Sequence, residues 1–96
     1  MIDEHAVFTI QAGQEGAFVA AYEQARPLLL AAGASDVVMS RCVEHPSRFL
    51  LRARWDSLEA HMEGFRGSPA FGQWRGLIGP FFAADPEVTH YTVVRS

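Results

Sequence analysis

The stretch RWDSLEAHMEGFRGSP, residues 54–69, holds the side chain with the clearest chemical potential in the sequence. Read as a helix from Ser57, its apolar stripe runs Leu58, Met62, Phe65, and His61 falls on the same stripe. An imidazole aimed at a core is either a partly buried ring satisfied by a carbonyl or a neighbouring side chain, or a working base. Its unperturbed pKa near 6.5 lets it take a proton from an acidic phenol, or from a carbon beside a carbonyl, near neutral pH. An electron-rich aromatic anion formed that way can react with O₂ without metal or flavin. The same base can also move a proton with no oxygen involved, as an isomerase or cyclase does.

Around His61 the sequence offers apolar and aromatic side chains from Leu58 to Phe71 that can wall a dry cavity. Candidate ligand-binding residues are Trp55, at the end of a strand, Phe65, and Phe71 and Trp74 on a following helical piece. Tyr22 can reach the same space from the first helix, although a core tyrosine with a bonded hydroxyl is the stronger reading. His90 is the second candidate titratable group. It lies mid-strand, and alternation alone leaves open whether it faces the cavity or the opposite side of the sheet.

Other chemistries find little here. His5, His45, His61 and His90 are far apart with no zinc-type spacing, so no metal site is expected, and no cofactor. No glycine-rich phosphate loop or nucleophile elbow is present. Cys42, the one cysteine, reads as a small buried hydrophobe in a strand-like stretch. The net charge of -3 and eight dispersed arginines, with no lysine, argue against nucleic acid or anionic membrane as partner. The N-terminus lacks a signal-peptide pattern and PLLLAAGA is too short to span a bilayer, so a cytoplasmic protein is expected.

The elements that must position these residues follow from local patterns. EHAVFTIQ is β-rich and is broken by AGQEG. A helix follows from about Gln14 to Ala32, with Phe18, Tyr22, Ala25, Leu29 and Ala32 as its buried stripe. Pro27 predicts a kink or a break there, and Gly33 a stop. SDVVMSRCVE reads as a strand, HPS as a turn and RFLLRARW as the antiparallel partner. Asp56 with Glu59 has the shape of a capping box, Gly64 and Gly67 loosen the helix end, and Ser68-Pro69 restarts it as N-cap and first position. That piece carries Phe71, Trp74, Leu77 and Ile78 on one side up to Pro80, and DPEVTHYTVV closes the chain as a strand. The order is β-α-β-β-α-β over residues 1–96, one α+β, ferredoxin-like domain with a four-stranded antiparallel sheet and both helices on one face.

Helices on one face leave the other bare. In RFLLRARW, Phe49, Leu51, Ala53 and Trp55 alternate with Leu50, Arg52 and Arg54, so both faces carry apolar groups, and the closing strand is mixed in the same way. This predicts a homodimer through the sheet face, with Arg52 and Arg54 turned into it and paired with Asp or Glu.

FLLRARWDSLEAHMEGFRGSPAFGQWRGLIGPFF followed by PEVTHYTVV resembles the antibiotic biosynthesis monooxygenase family across the whole domain. The resemblance implies a dimeric α+β barrel with a cavity between sheet and helices in each subunit. In members resembling the cofactor-free oxygenases an Asn stands four residues before the strand's Trp and a Tyr six residues after it. Here the Trp is Trp55, the Asn position is Leu51 and the Tyr position is His61. The pattern of the haem-degrading branch is not matched: Ala6 stands near its Asn position and the helix AFGQWRG has no His. The combined expectation is a cofactor-independent monooxygenase with His61 as catalytic base, acting on a small aromatic or polyketide-like molecule. The alternatives are an isomerase or cyclase, or a non-catalytic small-molecule-binding module.

Overall fold

A computed structural model describes residues 1–96. Strand β1 is Ile2–Thr9, helix α1 Glu15–Ala31, β2 Ser35–Arg41 and β3 Arg48–Trp55. A π-helical segment, Ala60–Phe65, precedes helix α2, Pro69–Ile78, and a 3₁₀ turn, Gly79–Phe81, leads to β4, Glu87–Tyr91. The sheet order is β2-β3-β1-β4 with every neighbouring pair antiparallel, the ferredoxin-like arrangement.

One face of the sheet is buried under both helices. Glu4, Ala6 and Phe8 of β1 point inward, opposite Phe49, Leu51, Ala53 and Trp55 of β3, and all are buried. Phe18, Tyr22, Ala25 and Leu29 of α1 pack onto them with Trp74 and Ile78 of α2, forming one continuous core. Ala32, expected on the α1 stripe, is exposed because the helix ends one residue earlier. Gly33 ends it in the left-handed region at φ 108. Its N–H donates to the Leu30 carbonyl at 3.1 Å and that of Ala34 to Leu29 at 3.0 Å, which closes a Schellman motif.

Pro27 does not break α1, which runs unbroken for 17 residues. Pro27 is exposed, so the Glu23 carbonyl that loses its partner lies on the watered side of the helix, where solvent replaces the bond. β4 is also shorter than the sequence pattern and stops at Tyr91, leaving Val93 and Val94 exposed. Its register pairs Tyr91 with Asp3, close to the start of β1, so the chain beyond Tyr91 runs out of partner backbone. Cys42 lies just past β2 and is only half-buried, its Sγ 3.7 Å from Glu44 Oε1.

The largest departure is the segment after β3. The capping residue is Ser57, not Asp56: the Ala60 N–H donates to Ser57 Oγ at 3.1 Å. The turn then widens into a π-helix, with the Arg66 N–H reaching back five residues to the His61 carbonyl at 2.9 Å. The wider turn changes which side chains face inward. His61 and Phe65 are buried, whereas Leu58 and Met62 are 43% and 40% exposed, so the apolar stripe predicted through them does not form. Ser68 occupies the N-cap position of α2 with Pro69 first in the helix, but its hydroxyl donates to the Phe65 carbonyl at 2.7 Å instead of capping.

Gly67 ends the widened turn in close approach to its own backbone. A Cβ there would collide with the Glu63 carbonyl oxygen, whereas one on Gly72, within α2, meets nothing within 4 Å. Gly67→Ala is therefore expected to lower stability by about 1–3 kcal/mol through forced backbone displacement. Gly72→Ala is expected to raise it by about 0.5–1 kcal/mol through helix propensity. Urea midpoints of the two variants against the parent check both signs.

Candidate functional site

Four polar side chains meet beneath the π-helical turn. β1 is the middle partner: Glu4 lies opposite Ala53 of β3 on one side and opposite His90 of β4 on the other. Cross-strand partners share a face, so Glu4 and His90 both point toward the helices. The π-helix lowers His61 onto them. His61 Nδ1 is 2.7 Å from His90 Nε2, and His61 Nε2 approaches Glu4 Oε1 at 3.4 Å. The Trp55 indole N–H donates to the same Glu4 oxygen at 2.9 Å. The His61 ring stacks on Trp55, centroids 4.9 Å apart at 20°, and Phe65 stacks on Trp55 at 5.5 Å.

Glu4 and His61 are the two polar residues of the core, 5% and 3% exposed. Burial pulls His61 down to about 4, with the nearby His90 and Arg66 charges adding to it, so the ring is neutral at physiological pH. Burial raises Glu4 against the hydrogen bond from Trp55 and the charge of Arg66. His90 is lowered by burial and by Arg66. The 3.4 Å approach of Glu4 and His61 is accordingly not an ion pair near neutral pH, since the His61 ring is uncharged there.

A hollow of about 70 Å³ lies alongside, between sheet and helices, open to the outside. Its walls are mostly apolar, with Ala6, Phe8 and Leu51 from the sheet and Phe65, Phe71 and Trp74 from the helical side. Glu4 and His61 contribute the polar part of its wall, and Arg66 and Arg75 add two cations. Every hydrogen bond and close approach to Glu4 uses Oε1. No buried side-chain oxygen is left without a partner, so Oε2, which takes no protein bond, keeps access to the hollow.

Of the residues singled out in the sequence, His61, Phe65, Phe71 and Trp74 reach this wall. His90 faces the same side and bonds His61 from behind, which answers the alternation question. Trp55 is not a wall residue. It lies beneath the His61 ring and holds Glu4. Tyr22 is not at the wall either: it packs edge-on against Trp74, 6.2 Å between centroids, and borders a separate surface hollow with Met39 and Phe49. Leu51, at the position where the related oxygenases carry Asn, does line the hollow. On the opposite face Arg54 pairs with Asp3 at 2.8 Å and Asp36 at 3.4 Å, as its alternation predicted, whereas Arg52 makes no ion pair within the chain. No group of three or more His, Cys, Asp or Glu is arranged to hold a metal ion.

Glu4, Arg66 and Arg75 were missed by sequence reasoning. For Glu4 a signal existed: the apolar phase Ala6, Phe8, Ile10 extended back by two places lands on Glu4. For the arginines none did, because both are exposed residues on helical turns and reach the hollow only through packing.

A ferredoxin-like sheet with an apolar hollow under its helices and a buried acid–imidazole cluster defines a small-molecule-sized site on a small α+β scaffold. The family model for antibiotic biosynthesis monooxygenases matches residues 1–77, and the chain belongs to that family. It is 36% identical over 94 residues to Bacillus subtilis "Uncharacterized protein YczJ", covering 95% of this chain and 97% of that one. A Bordetella bronchiseptica crystal structure, provisionally described as an antibiotic biosynthesis monooxygenase, is 40% identical with a TM-score of 0.94, covering 98% of this chain and 97% of that one. SnoaB of Streptomyces nogalater, a cofactor-independent oxygenase, shares the fold at 14% identity and a TM-score of 0.83, covering 99% and 94%. No helix is long and apolar enough to cross a membrane.

The cluster ties stability to pH. Between 6.5 and about 4 the unfolded chain binds a proton on His61 that the folded chain refuses, so stability present above 6.5 falls as pH drops through that window, by up to about 3 kcal/mol. His90 acts in the same direction. Glu4 acts in the opposite one, since its raised folded value favours the folded state as pH falls. His61→Gln is expected to flatten the decline between near-neutral and mildly acidic pH, measured as thermal midpoints of parent and variant across that range. An unchanged slope would remove His61 as its source.

Proposed function

We propose that this protein is a cofactor-independent monooxygenase acting on a small, electron-rich hydroxylated aromatic molecule held between sheet and helices. The observation that supports this most is the buried Glu4–His61–His90 chain at the wall of an apolar hollow, with one carboxylate oxygen left free to meet a ligand. A hydroxyl of the substrate donates to Glu4 Oε2 and gives up its proton there. While Glu4 is ionised, His61 carries its proton on Nε2 toward Glu4 and accepts at Nδ1 from His90. Once Glu4 holds the substrate proton on Oε2, its Oε1 still faces the N–H groups of Trp55 and His61, and the His61 and His90 protons stay where they were. His61, on the wall, thus serves as a neutral donor that positions the base and supports its charge without taking the proton itself.

The phenolate then reduces O₂. A bond forms between a ring carbon and one oxygen atom, and the resulting hydroperoxide loses water to leave a quinone. One oxygen enters the product and the other departs as water, with four electrons supplied by the substrate as its ring C–H and O–H bonds are lost. The protein contributes the base, aromatic walls and exclusion of water. At about 70 Å³ the hollow is smaller than the roughly 150 Å³ cavity that encloses benzene, which favours a single ring, partly inserted, over a fused polyketide skeleton.

The face of the sheet away from the helices carries Val7, Val38, Leu50 and Tyr91, exposed or half-buried in the single chain. A second copy packed on that face completes the assembly we propose. Light scattering is expected to give twice the chain mass, and Leu50→Glu to shift it toward the monomer.

Turnover of a dihydroxybenzoate under ¹⁸O₂ tests the activity. The product is expected to carry one labelled oxygen with no hydrogen peroxide released, and His61→Ala to slow turnover by about 10²-fold or more. Product formed with no O₂ consumed points instead to an isomerase or cyclase. Leu51, which can offer no hydrogen bond to an oxygen-bearing intermediate, favours a binding module as the second reading; saturable binding without conversion is its signature.

A further inference from the structure

The mouth of the hollow carries charge that the chain itself does not neutralise. Among the residues lining it, two guanidiniums, Arg66 and Arg75, stand against one carboxylate, Glu4. The ion pairs within the chain engage Arg54, and neither Arg66 nor Arg75 has a carboxylate partner. Aromatic faces hold the two mouth arginines in place of carboxylates: Arg66 lies 5.3 Å above the Phe71 ring and Arg75 5.3 Å above Phe82. Arg66 has one further weak contact, from Nη1 to Met62 Sδ at 3.8 Å. A guanidinium stacked on a ring keeps its N–H edge free, and that edge matches the two oxygens of a carboxylate. Arg66 also belongs electrically to the site, since its charge is felt at Glu4, His61 and His90 alike.

The inner wall asks for the opposite chemistry. Glu4 is 5% exposed, and its Oε2, without a protein partner, can only accept a hydrogen bond while ionised. Between these two polar ends the walls are aromatic and aliphatic. We infer that the hollow recognises a hydroxylated aromatic acid: its hydroxyl donates inward to Glu4 Oε2, its ring lies against Phe65, Phe71 and Trp74, and its carboxylate meets Arg66 and Arg75 at the mouth. This deepens the proposed function by naming a ligand class. It rests on the hollow being a small-molecule site and not on any reaction with O₂.

The test is equilibrium binding to the whole protein without oxygen, read by calorimetry and by fluorescence of the wall residue Trp74. The probes are 3- and 4-hydroxybenzoate, benzoate, which lacks the hydroxyl, and 4-hydroxybenzamide, which lacks the charge. At least one hydroxybenzoate is expected to bind about tenfold more tightly than both benzoate and the amide. The double substitution Arg66→Gln, Arg75→Gln is expected to erase the preference for acid over amide. Both arginines are exposed, so the variant should keep the parent's circular dichroism and thermal midpoint. Equal affinity for acid and amide, equal affinity for benzoate and the hydroxybenzoates, or an acid preference that survives the double substitution would each overturn the inference. The expected ranking with no O₂ uptake in air upholds the ligand class and removes the oxygenase. O₂ uptake on an uncharged hydroquinone without that ranking removes the ligand class and leaves the oxygenase.

Discussion

A carboxylate and an imidazole lie almost wholly buried here in a layer built otherwise of aromatic and aliphatic side chains. Neither survives burial alone, because an isolated charge or an unpartnered polar atom in such a layer costs several kcal/mol. They persist because each satisfies another: Trp55 bonds Glu4, Glu4 faces one nitrogen of His61 and His90 takes the other. Burial also pushes His61 and Glu4 toward their neutral forms, which lowers the cost of keeping them together. The remainder of the fold can be read as the arrangement that holds these four groups in register.

That register comes from two sources. Within the sheet, β1 lies between β3 and β4, so Glu4 is placed against His90 and within reach of the Trp55 indole by strand pairing alone. The other source is the π-helical turn, which presents His61 and Phe65 to the sheet while Leu58 and Met62 stay outside. A regular α-helix would not space these residues in this way. The wider turn is capped by Ser57 and ends where Gly67 lets the backbone pass Glu63 closely. A local irregularity of this kind at a site is a common way of re-aiming a functional side chain.

The chain also divides its charges by face. Arg54 on the outer sheet face is held by Asp3 and Asp36, so that face is internally balanced at this point. Arg66 and Arg75 on the helical side rest on aromatic rings with no acidic partner. Arginine suits both uses, since its planar cation pairs with a carboxylate or stacks on a ring with little change in geometry. Family membership accounts for the shared scaffold, and these side chains are what this chain presents on it.

Much of this was legible in the residues. Periodicity and turn signals gave the element order, β3 at its observed ends, the buried stripe from Phe18 to Leu29 and the inward placement of His61. These are local properties, set by side-chain spacing against a period of two or of 3.6. The π-turn was not legible, because a one-residue widening leaves no compositional trace and the stripe was read at the α-helical period. The partners of His61 come from residues 4, 55 and 90, brought together only when β1 pairs on both sides. Glu4 was half-visible, as a polar residue in phase with Ala6 and Phe8. The sequence by itself therefore determined which elements form and which faces they bury. Tertiary structure alone decided which ionisable groups share the hollow and how far burial moves their pKa values, because both depend on contacts between residues far apart in the chain.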